Sequence, residues 1–201
     1  MTMKLIAFLG ATASLALAGS ALAQDTVEPR NTPGLPDNLA AIDDVLRGGL
    51  LNDPTSIAWE NYGVGTEVIQ DESYPGGGVA MRVSIGPSAN VYDGGLNIPL
   101  LAPVNAGEQL TIGFFARTIS SEAADGMGRV QVRFQLNEPP YPGFGEKVVQ
   151  IDDEWGFYEI TAPAGRAMRR NGIVALQFGL EEQVVEIGQA IVVSGTRTIA
   201  D

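Results

Sequence analysis

From Val79 to Val193, apolar residues return at every second position in one short segment after another. Val79, Met81, Val83 and Ile85 share one side; so do Leu110, Ile112, Phe114 and Ala116, then Val130, Val132, Phe134 and Leu136. A helix repeats every three to four residues, so each segment reads as a strand with one buried face. Turn signals lie between them: Tyr74-Pro75-Gly76-Gly77-Gly78, Asp93-Gly94-Gly95, Asn105-Ala106-Gly107, Asp125-Gly126 and Asn171-Gly172. Strands are expected over 57–62, 64–70, 79–85, 96–100, 110–117, 129–136, 147–151, 157–161, 173–180 and 184–193. Short strands at this spacing, with no helical period among them, predict an all-β fold, an antiparallel β-sandwich of jelly-roll type. One short helix is expected ahead of them over Asn38–Leu46, capped by Asp37 and stopped by Gly48 and Gly49.

The first residues follow another rule. Lys4 precedes an apolar run, Leu5–Gly19, and the run ends in Ala21-Leu22-Ala23. A short apolar stretch before a small-x-small site is the pattern of a secretory signal peptide, too short to span a bilayer comfortably. Residues 1–23 are therefore expected to be removed, leaving a polar, proline-bearing leader with the short helix over 24–49 and the β-domain over 50–201. The protein is expected to be exported, to the periplasm or beyond the cell, with no membrane span.

The chain of 201 residues has no Cys and no His. Thiol and Ser-His-Asp catalysis are thereby excluded, as are histidine zinc sites. The net charge is −12 and becomes more negative when Lys4 is removed, which argues against nucleic acid and anionic membranes as partners.

A row of polar residues stands out against this background. Gln131, Arg133 and Gln135 alternate with the apolar side of their strand, Gln177 does so in its own, and Phe115 and Arg117 in theirs. If the three strands share a sheet, one outer face gathers all six, with Gly113, Ala175 and Gly179 leaving a trough between them. Forked donors and acceptors can each engage two adjacent hydroxyls, and aromatic rings pack on the C–H faces of pyranose sugars. The competing reading is a wet sheet face with no ligand, which is ordinary for antiparallel sheets. The loop Pro139–Gly145 carries Tyr141 as a lip, and Tyr92 stands at a loop edge beside Asp93-Gly94-Gly95. Trp155 reads as a structural anchor, and Trp59 as a core residue more than a site residue.

Asp152, Asp153 and Glu154 could offer oxygen ligands to Ca²⁺, though runs of acids in turns are usually solvated. For glycoside hydrolysis, Glu138 and Glu146 are the carboxylate pair nearest the expected trough.

Four stretches in order carry a resemblance: Val91-Tyr92-Asp93; Gly107-Glu108-Gln109-Leu110-Thr111-Ile112-Gly113-Phe114-Phe115-Ala116-Arg117; Glu154-Trp155-Gly156-Phe157-Tyr158; and Val185-Glu186-Ile187-Gly188. Together they resemble the carbohydrate-binding modules of the group that includes families four, nine and twenty-two, over roughly Leu50 to Ser194. The resemblance implies a galactose-binding-like jelly roll and non-catalytic binding of a β-glucan or xylan-like chain on a concave sheet. Tyr92, Phe115, Arg117, Gln131, Arg133, Gln135, Tyr141 and Gln177 are then the ligand-binding residues. It implies a structural Ca²⁺ in many members without giving its ligands here. Tyr92 and Phe115 stand where Trp is common, and Gly188 stands for the usual Asp.

The expectation is thus a monomeric, exported protein that binds a polysaccharide or glycan and is not an enzyme. Two alternatives stand beside it: an envelope assembly protein using the same face for a protein partner, and a hydrolase using Glu138 and Glu146.

Overall fold

The computed structural model describes residues 32–199. The expected signal peptide and most of the leader lie outside the described residues. In chain order the elements are a 3-10 turn (Asp37–Leu39), helix α1 (Ala40–Val45), then strands β1 (Gly49–Leu50), β2 (Glu60–Tyr62), β3 (Gly65–Gln70), β4 (Val79–Ile85), β5 (Gly95–Pro99), β6 (Gln109–Ser121), β7 (Gly128–Leu136), β8 (Gly143–Ile151), β9 (Gly156–Pro163), β10 (Gly172–Gln177) and β11 (Gln183–Ser194). Each of the ten anticipated segments overlaps a strand, β1 is an addition to them, and the helix falls where Asn38–Leu46 was expected.

Two antiparallel sheets face each other. The first runs β3-β4-β11-β6-β9, with β1 also paired to β11; the second runs β2-β5-β10-β7-β8. Alternation sends Leu110, Ile112, Phe114 and Ala116 of β6 inward against Val130, Val132 and Phe134 of β7 and Val174 and Leu176 of β10. Phe114, Phe134 and Phe178 are the largest of the fully buried side chains there. A chain without disulfides is held by this layer of apolar contacts.

The outer faces of the two sheets differ. Three segments cover the first. At its base, the buried Asp43 carboxylate accepts from Leu50 N (2.6 Å), Thr32 N (3.0 Å) and Thr32 Oγ1 (2.9 Å), binding the helical segment to β1. After β11 the chain turns back across β6 and β9: Thr111 Oγ1 donates to Thr196 O, Thr161 Oγ1 to Arg197 O, and Ile199 N to Glu159 Oε1. The loop after β3 lays Tyr74, only 4 % exposed, over Gly188 of β11. A Cβ at position 188 would collide with that ring, which accounts for glycine where the resemblance led one to expect Asp. The second sheet has a cleft on its outer face.

Candidate functional site

The cleft follows from the register of β2, β5, β10 and β7. One row across the sheet reads Tyr62, Gly95, Gln177, Gln131; the next reads Glu60, Asn97, Ala175, Arg133; the next, from β5 onward, Pro99, Ile173, Gln135. These are the outward positions, since Leu96, Ile98, Val174, Leu176, Val132 and Phe134 between them belong to the core. Gly95 and Ala175 lack the bulk to fill the middle, so the long side chains on either side enclose a trough of about 560 Å³.

Small neighbours set the side chains. At Gly95 a Cβ would lie 2.7 Å from the Tyr62 hydroxyl, so the phenol lies across that strand toward Gln177. Burial raises the Tyr62 pKa above its ordinary value. Gln177 in turn accepts from Gln131 Nε2 at 2.9 Å. Arg133 lies over Gly143, and a bulge between β7 and β8 brings Glu146 Oε1 to 3.2 Å from its Nε. That approach lacks hydrogen-bond alignment, and Nε has no hydrogen-bond partner. Glu60 Oε2 accepts from the amides of Asn97 (3.2 Å) and Asn137 (2.9 Å), which fixes the carboxylate at the other wall.

Two tyrosines form the rim. Tyr92 is 58 % exposed and sits on a short turn, Val91–Asp93. The Asp93 carboxylate closes that turn by accepting from Asn90 N and Ala89 N, and these bonds lower its pKa, that from Asn90 N foremost. Gly179 N donates to Val91 O and Phe178 N to Gly94 O, docking the turn at the end of β10. Tyr141 is 47 % exposed. Its φ of 55° is left-handed, a conformation that a bulky residue holds only when its surroundings impose it. Tyr141 N donates to Glu138 O, and Arg133 Nη2 reaches Tyr141 O at 3.1 Å.

Of the eight residues expected in the cleft, Tyr92, Arg133, Gln135, Tyr141 and Gln177 line it, and Gln131 adjoins it through Gln177. Phe115 and Arg117 do not. Their strand, β6, lies between β11 and β9 in the first sheet, so their side chains emerge on the opposite side of the sandwich. There Phe115 packs against Phe157 and Tyr74, with ring centres 5.0 and 5.7 Å apart. Arg117 bonds to the fully buried Glu186 (2.7 Å) and to Asp71, and stacks over Trp155. Arg82 completes the set from β4, at 2.7 Å from Glu186. Both residues hold a loop to a sheet. The expectation that Trp155 is a structural anchor agrees with this cluster, and Trp59 is buried in the core.

Glu60, Tyr62, Asn97 and Asn137 line the cleft without having been named as site residues, and Pro140 belongs to the loop expected as its lip. Asn97 carried a signal: it is polar between Leu96 and Ile98, facing away from the core. Glu60 and Tyr62 carried less, because β2 has three residues and no alternation long enough to read. Of the carboxylates considered for hydrolysis, Glu146 contacts Arg133 and Glu138 does not line the cleft. Among the described residues, no three acidic side chains converge as a metal site. Asp152 instead accepts from Asp153 N, and its carbonyl from Thr118 N.

No protein-family model matches the chain, and no curated protein matches it in sequence. Solved structures do. A family 4 carbohydrate-binding module superposes with a TM-score of 0.53 at 16 % identity, covering 68 % of this chain and 94 % of that one. The arabinose-bound α-L-arabinofuranosidase MgGH51 gives 0.55 at 15 % identity; 75 % of this chain is covered, but only 25 % of the enzyme. The N-terminal cellulose-binding domain of Cellulomonas fimi β-1,4-glucanase C gives 0.49 at 16 % identity, over 74 % and 93 %. The chain has the fold of the family 4 carbohydrate-binding module.

Proposed function

We propose that the chain is an exported, monomeric, non-catalytic protein that holds a polysaccharide or glycan chain along the outer face of the second sheet. The observation that carries this reading is the trough over Ala175. It has amide and guanidinium groups on its walls and floor and the tyrosines Tyr62, Tyr92 and Tyr141 around it. Sugar hydroxyls are recognised by directional hydrogen bonds and sugar C–H faces by aromatic rings, and this surface offers both. The carbohydrate-binding-module fold supports it.

Affinity gel electrophoresis of residues 24–201 against xylan, mixed-linkage β-glucan, galactomannan and bacterial exopolysaccharides tests the reading. One of these should retard the protein, and Arg133→Ala with Tyr141→Ala should abolish retardation while the melting temperature hardly moves. Phe115→Ala, on the far sheet, should lower the melting temperature and leave retardation intact. A folded protein that no glycan retards would refute the proposal and favour a protein partner at the same face. Release of reducing ends would refute its non-catalytic part.

A further inference from the structure

The two walls of the trough differ in charge. Among the described residues, Arg133 is the cation of the cleft lining, and Glu146 lies 3.2 Å from it. Glu60 on the opposite wall has no ion pair among the described residues; its carboxylate accepts from two neutral amides. Beside it, Asn97 is only 6 % exposed, and with its Nδ2 donating to Glu60 its Oδ1 has no hydrogen-bond partner. Among the described residues just three buried side-chain polar atoms lack a partner, and Asn97 Oδ1 and Arg133 Nε are two of them. Orphaned buried atoms in a native fold call for a ligand or water that satisfies them.

A carboxylate without a counter-ion beside a buried carbonyl without a donor is a corner of acceptors. An anionic sugar would be repelled there. A hydroxyl would supply a donor but no charge. An ammonium group supplies up to three donors and the missing charge, and charge-assisted bonds of this kind are the stronger ones. The tyrosine faces around the trough also attract cations.

Resting on the reading that the cleft holds a glycan, we infer that the sugar unit over Glu60 carries a free amine. The ligand class is a hexosamine polymer that is at least partly N-deacetylated. Glu60 is the residue that confers the preference, with Asn97 beside it.

Calorimetric titration tests this with three β-1,4-linked hexamers, of glucosamine, N-acetylglucosamine and glucose, at a pH where the free amines are protonated. The glucosamine hexamer should bind about tenfold tighter than the other two. Glu60→Gln, which keeps an acceptor for Asn97 and Asn137, should erase that advantage. Glu72→Gln removes the same charge from an exposed loop position and should preserve it, separating a local effect from the general pull of an acidic protein on a polycation. Equal binding of the hexamers, or an advantage that survives Glu60→Gln, would overturn the inference and leave glycan binding standing. No binding of any hexamer or polysaccharide by folded protein would overturn both.

Discussion

Gly188 and Tyr74 show how one side chain dictates another across the first sheet. Tyr74 donates to Gln189 Oε1 and accepts from Gln189 N while its ring lies over the glycine. Gly188→Ala should therefore destabilise the fold by about 1–3 kcal/mol through overpacking. Combined with Tyr74→Ala, which vacates the space, its added cost should shrink, a non-additivity that a double-mutant cycle measures. Asp71 sets an acid limit. Its pKa is held below the usual value, chiefly by bonds from Ser73 and in smaller part by Trp155 and Arg117. A carboxylate with a depressed folded pKa adds stability above its unfolded value and loses it as pH falls through the folded one. Melting temperature should thus decline below about pH 4, and less steeply in Asp71→Asn.

At the scale of elements, alternation reveals which face of a strand is buried but not which sheet the strand joins. That is why Phe115 and Arg117 were legible as outward residues yet were assigned to the wrong side. Gln131, Arg133, Gln135 and Gln177 came together because β7 and β10 are neighbours. Partner choice arises from long-range pairing, such as β11 with both β4 and β6, and no local pattern encodes it. A similar limit hid the Glu60 wall of the cleft, since β2 is too short to show a period. Glu186 ties β4, β11 and β6 through Arg82 and Arg117. Its replacement by Leu would leave two arginines without their shared partner. A loss of about 2 kcal/mol is expected in denaturant unfolding, moderated because both arginines reach solvent.

For the whole molecule, stability rests on one apolar layer between the sheets. Phe134, fully buried within it, is the sharpest test: Phe134→Ala should cost about 3–5 kcal/mol and lower the melting temperature by about 6–20 °C. The transition should stay single, as expected where both sheets share a core.

The strands nearest the two ends of the described chain are also neighbours, with Gly49 opposite Ser194 and the tail up to Ile199 lying across the covered sheet. The molecule therefore has a back and a front. A surface, resin or fused protein joined at the back, through Ile199 or through Thr32, would leave the trough pointing outward, so immobilisation by either route should preserve access for a long polymer.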